Sequence, residues 1–387
     1  MAYTVLARRY RSADFDEVVG QEAIANTLQN AIKLNRVAHA YLFCGTRGVG
    51  KTSMARIFAK AINGGKPEID AAIMTGKDTD VIEIDAASNS GVDNARELIA
   101  NAAYRPLRGK KKVYIIDEVH MLSNAAFNAL LKTMEEPPEH VMFILATTDP
   151  QKVPATIQSR CQRFDFRNIP APNIAGHLTA VLKKEGVAAE PELVFQIARL
   201  GNGSMRDSLS LLDRVIASGE KKLTVKTLED LLGLPARELL GSMLDAFTAG
   251  TPAAALEAGD TLLKRGVAID QVFESLLERF RDLLVLATCG MNTELVELSD
   301  DARKNEAARS EKFDPAALVH MIAMVENIQR SAKASACPRA LFDACLVRLA
   351  LTDRLADATS MVREAKGATA DARSPVGAGV GAGAKKR

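Results

Sequence analysis

A glycine-rich segment at residues 45–52, Gly-Thr-Arg-Gly-Val-Gly-Lys-Thr, constrains the fold of this chain more than any other feature. It follows a short apolar run at 41–44, which is typical of a buried strand. Beyond the segment, apolar side chains recur at helical spacing on one face, at Met54, Ile57, Phe58, Ala61 and Ile62. The sequence therefore predicts a strand, a tight loop and a helix in that order.

The spacing of glycine, lysine and threonine in this loop is that of a P-loop. Its glycines let backbone N–H groups turn toward phosphates, which a Cβ would obstruct. Lys51 then reaches the β- and γ-phosphates, and Thr52 offers its hydroxyl to Mg²⁺. The loop residues expected to bind nucleotide are Gly45, Thr46, Arg47, Gly48, Val49, Gly50, Lys51 and Thr52. The sequence thus predicts a protein that binds ATP together with Mg²⁺.

Short β-rich runs alternate with helix-like stretches between about residues 40 and 166. The strand candidates are 41–44, 81–85, 113–117, 141–147 and 162–166. Strands separated by long helical segments pair in parallel, so this part of the chain is predicted to be an α/β domain with a five-stranded parallel sheet.

From about residue 171 onward the pattern is nearly all helical, and no strand pattern returns. Amphipathic runs lie near 192–200, 204–218, 224–233, 252–265, 268–288, 314–333 and 338–358. Breakers at Pro170, Pro172 and 233–235 divide this part into a smaller and a larger helical unit. The predicted domains are an ATPase core at 1–169, a helical unit at 170–233, a second one at 234–360 and a disordered Gly/Ala-rich tail at 361–387.

Composition excludes several classes of protein. With 50 basic and 48 acidic residues the formal charge is only +2, so any contact with nucleic acid must be local. No apolar stretch is long enough to span a membrane and the N-terminus carries no signal-peptide pattern, so the expected location is cytoplasmic. The five cysteines form no C-x-x-C pair and have no nearby histidine set, and are expected to be reduced and mostly buried.

Two carboxylates follow the strand candidate at 113–117. Asp117 would bind Mg²⁺, and Glu118, one residue beyond, would polarise the attacking water. An apolar run that ends in Asp-Glu is also common where a strand merely meets a turn. The P-loop about 65 residues earlier favours the catalytic interpretation.

Hydroxyl and guanidinium groups complete the candidate set. Thr147 and Thr148 end the strand candidate at 141–147, where they either contact the γ-phosphate or form a polar strand end. Arg160 and Arg206 either stabilise charge on the transferred phosphoryl group or are surface arginines. Ser204 is a predicted helix N-cap ahead of Arg206, with Asp207 three residues later as in a capping box.

Taken together, residues of roughly 3–233 closely resemble the γ/τ family of bacterial DNA polymerase III clamp-loader subunits, which are AAA+ ATPases. The matching segments are Val-Leu-Ala-Arg-Arg-Tyr-Arg (5–11), Val-Val-Gly-Gln (18–21), His-Ala-Tyr-Leu-Phe (39–43), the P-loop, Ile-Glu-Ile-Asp-Ala-Ala-Ser (82–88), Ile-Asp-Glu-Val-His-Met-Leu (116–122), Phe-Asn-Ala-Leu-Leu-Lys (127–132), Glu-Glu-Pro-Pro (135–138) and Ala-Thr-Thr-Asp-Pro-Gln-Lys (146–152). The resemblance implies an AAA+ core, a helical lid at 170–233 and a helical collar for oligomerisation at 234–360.

The resemblance also implies a role for each candidate. Asp117 and Glu118 are the Walker B pair, Thr148 or its neighbour Thr147 is sensor 1, and Arg206 is sensor 2. Arg160 resembles an arginine finger that completes the site of a neighbouring subunit. The adenine pocket is assigned to Arg11, Val18 and Val19.

One segment departs from the family. Members usually carry four zinc-binding cysteines between the P-loop helix and the next strand, but residues 63–78 contain no cysteine. Without thiolates or histidines that segment cannot hold a structural zinc ion, so Mg²⁺ that accompanies nucleotide is the only metal expected.

Function and partners follow from the resemblance. The expected activity is ATP hydrolysis that loads a ring-shaped sliding clamp onto primer–template DNA, in a complex with delta, delta-prime and further gamma/tau copies. A polymerase site is not expected, because no carboxylate set for nucleotidyl transfer is apparent beyond the ATPase pair. The rival interpretations are a helicase-like translocase, which would need a second RecA-like domain, and a scaffold subunit without turnover, against which the intact Lys51, Glu118 and Arg160 speak.

No basic stripe or aromatic platform in the sequence indicates where the chain would contact DNA. In this family helix N-termini hold the DNA phosphates, so the helix starts expected at 88–89 and 123–124 are candidates. The basic run at 108–112 abuts a predicted strand and is interpreted as a solvated face that protects the strand.

Overall fold

The computed structural model describes residues 3–352 of the 387-residue chain. The chain divides into two compact units, Met1–Thr227 and Leu228–Arg387. The predicted disordered tail at 361–387 lies outside the described residues, as does the end of the predicted helical run at 338–358. The domain boundaries drawn from the sequence stay predictions.

A parallel five-stranded sheet forms the centre of the first unit. Its strands are β1 (Ala40–Cys44), β2 (Val81–Asp85), β3 (Lys112–Asp117), β4 (Val141–Thr147) and β5 (Gln162–Asp165). Their spatial order is β2-β3-β4-β1-β5, and each neighbouring pair is parallel. The predicted five-stranded parallel sheet is confirmed, with each strand end within one residue of its predicted place.

Helices cover both faces of this sheet. The helices up to residue 232 are α1 (Leu6–Arg9), α2 (Glu22–Lys33), α3 (Lys51–Asn63), α4 (Pro67–Thr75), α5 (Val92–Ala102), α6 (Asn124–Glu135), α7 (Ala155–Gln158), α8 (Ala171–Glu185), α9 (Pro191–Leu200), α10 (Met205–Ile216) and α11 (Val225–Leu232). Short 3₁₀ helices lie at Phe15–Glu17, Val119–Met121 and Pro150–Lys152. The predicted order of strand, glycine loop and helix is confirmed by β1 and α3.

Alternation along the central strands builds two cores. Tyr41 and Phe43 point to the face covered by α2 and α3, where the Tyr41 and Phe58 ring centroids lie 5.0 Å apart. Leu42 and Tyr114 point to the opposite face and pack with α5 and α6. Because both faces are covered, β1, β3 and β4 are apolar except at their ends, where Lys112, Asp117 and Thr147 lie, and this explains the continuous apolar runs in the sequence.

Two prolines interpreted as breakers instead begin a helix that the sequence analysis missed. Pro170 is the N-cap residue of α8, and Pro172 lies in its first turn. A proline in the first helical turn costs little, because the N–H that it lacks would have no intrahelical acceptor there. The two prolines were therefore read as helix breakers, and the helix that they begin was not predicted.

Short strands return after residue 171, contrary to expectation. Ala188–Ala189 (β6) pairs in parallel with Lys222–Leu223 (β7) in the helical part of the first unit. Two residues are too short for any period-2 pattern to be visible in the sequence.

One local expectation about a polar segment is wrong, and a second is wrong for one residue. The helix expected at 88–89 begins instead at Val92, because Asp85 binds the backbone N–H of Ala87 and the Ser88 hydroxyl in a turn. In the basic run at 108–112, Arg108 and Lys110 are exposed as expected, but the Lys112 side chain is buried and its Nζ donates to the carbonyl oxygen of Asn101 at 2.7 Å. The helix start expected at 123–124 is confirmed, since Ser123 caps α6.

Residues 233–352, all in the second unit, contain only helices and loops. Its helices beyond residue 232 are α12 (Arg237–Thr248), α13 (Pro252–Lys264), α14 (Ile269–Cys289), α15 (Asp300–Ser310), α16 (Pro315–Ala334) and α17 (Pro338–Ala350). Phe273, Phe280 and Phe342 are fully buried in one continuous core. The sequence analysis missed α12, whose apolar stripe Gly241 interrupts, and α15, which is too polar to show a stripe.

Two further observations concern the whole described range. Among residues 3–352, no helix is both long enough and apolar enough to span a membrane. Cys44 and Cys345 are buried, but Cys289 and Cys337 are exposed, contrary to the expectation of mostly buried thiols. Both exposed cysteines lie at helix ends, where side chains reach the surface.

Candidate nucleotide site

A cavity of about 690 Å³ opens in the first unit beside the glycine loop. Loop residues 47–52 line one end, and the wall also includes residues of the segment before α2, of α3 and α4, of the end of β3, and of α8 and α10. Of the predicted site residues, the cavity is lined by Arg11, Val18, Val19, Arg47, Gly48, Val49, Gly50, Lys51, Thr52, Asp117, Glu118 and Arg206. Gly45, Thr46, Thr148 and Arg160 are not among its lining residues.

The glycine loop adopts a backbone that other residues rarely tolerate. Gly48 has φ 78°, and a Cβ there would lie 1.9 Å from the Ser204 hydroxyl oxygen at the start of α10. Gly50 has φ 103° and is the N-cap residue of α3. The first turn of α3 therefore directs its free N–H groups and its positive dipole end at the loop, which suits a bound phosphate.

Lys51 is buried at the start of α3. Its Nζ donates to the carbonyl oxygens of Gly45 and Thr46 at 2.7 and 2.8 Å, so the ammonium lies inside the curve of the loop. Burial lowers the pKa of Lys51, while the nearby carboxylates of Glu118 and Asp117 act in the opposite direction. Because the ammonium is already buried, it can donate hydrogen bonds to an incoming phosphate without a further large cost of desolvation.

Thr52 and Asp117 meet although 65 positions separate them in the chain. The Thr52 hydroxyl donates to Asp117 Oδ2 at 2.6 Å, because α3 and the end of β3 lie side by side at the same edge of the sheet. Hydroxyl and carboxylate oxygens are the hard ligands that Mg²⁺ prefers. The donor set at this end of the cavity therefore fits a magnesium ion.

Glu118 is held in an unusual conformation beside the end of β4. Its φ is 48°, a left-handed value that is uncommon outside glycine and that marks functional sites when the surroundings enforce it. Its Oε2 lies 3.3 Å from the Thr148 hydroxyl oxygen, which is the donor. Thr147 points elsewhere: it is fully buried, and its hydroxyl oxygen accepts from the backbone N–H of Asp149.

The sequence analysis assigned no role to His120, yet its ring lies within this cluster. Nδ1 is 3.0 Å from the Thr147 hydroxyl oxygen and 3.5 Å from Glu118 Oε2. In the sequence, the one signal for His120 is that it lies two residues after Glu118.

The two candidate arginines differ in their surroundings. Arg206 lines the cavity just inside α10, and among the described residues its guanidinium makes no hydrogen bond or ion pair, with Asp207 or any other residue. Ser204 caps α10 through the backbone N–H of Asp207 at 3.2 Å, as predicted. Arg160 is partly exposed; it pairs with Glu135 and donates to the carbonyl oxygen of Thr156.

Three family models match consecutive parts of the chain. They are described as DNA polymerase III, delta subunit (residues 20–170), DNA polymerase III clamp loader subunit, ATPase lid domain (173–221), and DNA polymerase III subunits gamma and tau domain III (223–365). The DNA polymerase III subunit gamma of Buchnera aphidicola is 43% identical over 244 residues, which are 61% of this chain and 67% of that protein. The chain belongs to the gamma/tau family of DNA polymerase III clamp-loader subunits.

Other gamma/tau relatives are longer. The tau subunit of Bacillus subtilis is 41% identical over 91% of this chain and 64% of its own length. The tau/gamma subunit of Haemophilus influenzae is 51% identical over 60% of this chain and 35% of its own length. The chain therefore spans between about a third and two thirds of the length of these relatives.

Some residues of this gamma/tau site could not be found from the sequence. His177 on α8 and Leu209 on α10 line the cavity, and neither belongs to a motif. Their only signal is an ordinary position on an amphipathic helix. The prediction that residues 63–78 hold no structural zinc stays a prediction.

Proposed function

We propose that this gamma/tau family member is an ATPase subunit of a bacterial clamp loader, and that it uses MgATP to place a sliding clamp on primer–template DNA. The observation that carries the proposal is the meeting of Lys51, Thr52 and Asp117 at one end of the cavity, directly beside Glu118. Family membership supplies the biological setting. The nucleotide, the metal and the DNA are inferred from this geometry and from the family.

The residues at the phosphate end have different roles in binding MgATP. Lys51 exchanges the loop carbonyls of Gly45 and Thr46 for phosphate oxygens, which are stronger acceptors because they are charged. Thr52 and Asp117 hold Mg²⁺ through their oxygens. When bound, MgATP supplies the γ-phosphoryl group whose transfer to water the site promotes.

Glu118 is the proposed base that takes a proton from the attacking water. The Thr148 hydroxyl supports this role, because its hydrogen bond to Glu118 Oε2 fixes the carboxylate at the mouth of the phosphate site. This contact favours Thr148 over Thr147 as sensor 1. Arg206 is the proposed sensor 2, a role supported by its place in the cavity wall and its lack of an internal partner among residues 3–352.

Arg160 is proposed to act on the site of a neighbouring subunit. Its partners in this chain, Glu135 and the Thr156 carbonyl, hold it away from the cavity of its own subunit. A partly exposed arginine on a short surface turn can reach an adjacent molecule without refolding. The partners proposed for the chain are delta, delta-prime and further gamma/tau copies, together with the sliding clamp and primer–template DNA.

The helicase-like alternative would need a second RecA-like domain. Residues 233–352 contain helices and no strand, which favours a helical collar over such a domain. We accordingly propose a core at 1–169, a lid at 170–233 and a collar at 234–360. Arg11, Val18 and Val19 are the proposed adenine pocket, which their place in the cavity wall supports.

The test is the ATPase rate of the assembled complex, with and without clamp and primed DNA. Clamp and DNA should raise the rate of the wild-type complex, while Glu118→Gln should retain nucleotide binding and lose at least about hundredfold in turnover, as expected on removal of a general base. Glu97→Gln, an exposed substitution on α5, is the matched control. A wild-type complex that ignores both clamp and DNA would contradict the proposal.

A further inference from the structure

The imidazole of His120 connects the end of β4 with Glu118. The left-handed backbone of Glu118, with φ 48°, leads into the 3₁₀ helix at Val119–Met121, and the His120 ring returns to the side of Glu118. The His120 side chain is only 8% exposed. Its Nδ1 lies 3.0 Å from the Thr147 hydroxyl oxygen and 3.5 Å from Glu118 Oε2. A single nitrogen therefore contacts the strand end and the carboxylate.

Thr147 fixes the ring in its place. Thr147 is fully buried, and its hydroxyl oxygen also accepts the backbone N–H of Asp149 at 3.0 Å. The oxygen is thus held by the strand and by the turn that follows it. A buried ring that contacts this oxygen has little freedom to rotate, because it would lose a hydrogen bond away from water. His120 therefore links Glu118 to rigid backbone.

The surrounding charges indicate which ring nitrogen carries the proton. Nε2 lies 4.0 Å from Asp149 Oδ2, which is too far for a hydrogen bond. That carboxylate is also paired with Lys152 Nζ at 2.9 Å, which offsets its charge. Nδ1 faces the nearer carboxylate of Glu118, where a lone pair would be repelled and an N–H attracted. A proton on Nδ1 is therefore favoured, and it lies between Nδ1 and the oxygens of Glu118 and Thr147.

The two carboxylate oxygens of Glu118 have different surroundings. Oε2 is contacted twice, by the Thr148 hydroxyl at 3.3 Å and by His120 Nδ1 at 3.5 Å. Among residues 3–352, Oε1 makes no hydrogen bond or ion pair. A carboxylate that is held through one oxygen keeps the other free to accept a proton in a defined direction.

We propose that His120 is a positioning residue for hydrolysis: Nδ1 donates to Oε2 and, together with Thr148, holds Glu118 so that Oε1 takes a proton from the attacking water. As Oε1 takes this proton, the water oxygen bonds to the γ-phosphorus, and the electron pair of the broken P–O bond leaves with ADP. The inference rests on the proposed role of Glu118 as base. Catalytic hydrogen bonds are often longer outside the complex with substrate than within it, which accounts for the 3.5 Å contact.

Substitution by asparagine and by leucine provides a matched test. The two side chains have nearly the same shape, but only asparagine offers an N–H at the place of Nδ1. The single-turnover rate of ATP hydrolysis by the assembled complex, with clamp and primed DNA, reports on the chemical step apart from product release. His120→Leu should lower this rate about tenfold, because one hydrogen bond is worth about that factor. The affinity for ATP should change less than about twofold, since Nδ1 acts on Glu118 and not on the nucleotide.

Further variants assign the effect to Nδ1. His120→Asn should retain most of the wild-type rate. His120→Gln should lose as much as His120→Leu, because its longer amide reaches the place of Nε2. His39→Leu, which changes an exposed histidine before β1, should behave as wild type.

A double variant shows whether His120 acts through the carboxylate. If it does, adding His120→Leu to Glu118→Gln should cause less than about twofold further loss, because the group that His120 positions is already removed. A ring that only stabilises the fold would lower the rate by the same factor in both backgrounds.

The outcomes separate this inference from the proposed function. If the wild-type complex does not hydrolyse ATP, or if Glu118→Gln hydrolyses it at the wild-type rate, the proposed function itself fails. If Glu118→Gln loses turnover but His120→Leu keeps the wild-type rate, only the role of His120 is overturned. The same holds if His120→Asn loses as much as His120→Leu, or if the losses multiply in the double variant. Thermal unfolding checks that the variants are folded, and if His120→Leu is not, the comparison of His120→Asn with His120→Gln decides in the same way.

Discussion

Lys51 carries a charge although it is buried, and carbonyl oxygens of the loop stabilise that charge. Its Nζ has two carbonyl acceptors in the loop, and its pKa is lowered by burial. The ammonium is therefore available to phosphate at little further desolvation cost.

Lys51→Ala is expected to weaken ATP binding by at least about hundredfold, since it removes charged hydrogen bonds worth about 3 kcal/mol together. Isothermal titration of ATP into the purified chain measures the change. The exposed Lys77→Ala should retain wild-type affinity, and ATP binding by Lys51→Ala at wild-type strength would contradict the assigned phosphate site.

Gly48 and Gly50 allow two effects on the free energy of unfolding to be separated: a steric collision of an added Cβ and the strain of a positive φ. Both have positive φ, but a Cβ at Gly48 would collide with Ser204, whereas a Cβ at Gly50 meets nothing within 4 Å. Gly48→Ala should lower the free energy of unfolding by about 3 kcal/mol and Gly50→Ala by about 1 kcal/mol, because only the first adds a steric term to the strain. Denaturant unfolding without nucleotide measures both. Equal losses would show that the loop does not pack against α10 in solution.

At the scale of elements, Asp80 fixes the segment that leads into β3. The carboxylate is buried and accepts backbone N–H groups of Leu107, Arg108 and Gly109, each at 2.7 Å. Asp80→Asn should lower the free energy of unfolding by about 1–2 kcal/mol, because the amide offers only one acceptor oxygen and the charge is lost. Urea unfolding is the measurement, and the exposed Asp93→Asn on α5 is the control.

The same carboxylate predicts the pH dependence of that difference. Burial acts to raise the pKa of Asp80, but the three backbone N–H donors and Arg108 outweigh it and hold the pKa below its usual value. Its stabilising contribution is therefore complete above about pH 4, the usual pKa of aspartate, and is lost as the pH falls through the lowered value. The gap in unfolding free energy between wild type and Asp80→Asn should shrink only below about pH 4. A gap that shrinks between pH 7 and 5 would contradict this assignment.

At the scale of the whole molecule, the candidate site lacks an arginine from its own Ser159-Arg160-Cys161 turn. If Arg160 acts between subunits, Arg160→Ala should bind ATP normally but lose hydrolysis in the assembled complex. Mixing Arg160→Ala protein, which has an intact cavity, with Lys51→Ala protein, which has an intact Arg160, should restore part of the ATPase rate. Arg163→Ala, which removes an exposed arginine three residues away, is the control. A complete lack of recovery in every mixture would rule out a finger supplied by a neighbour.

The apolar runs predicted the central sheet, and the spacing of glycine, lysine and threonine predicted the loop, because both patterns have local causes. A strand buried on both faces needs an unbroken apolar run, as in β3 and β4, and a phosphate loop needs glycines at fixed positions. Capping is equally local, and so the Ser204 cap was predicted correctly. The helix α15 was not predicted, because its sequence carries no apolar stripe that local periodicity could reveal.

Tertiary structure decided the features that join distant parts of the chain. The sequence offered Thr147 and Thr148 as equivalents, but only packing around His120 turns Thr147 away and places Thr148 on Glu118. The sequence predicted the residues at the phosphate end of the cavity. The wall that contains His177 could not be predicted, because it forms where α8 and the segment before α2 line the same cavity. The sequence by itself determined the five strands of the central sheet, the P-loop and the carboxylates at the end of β3, because backbone sterics and burial act on near neighbours. Which side chains share the cavity depends on contacts across more than a hundred residues, and these exist only in the packed fold.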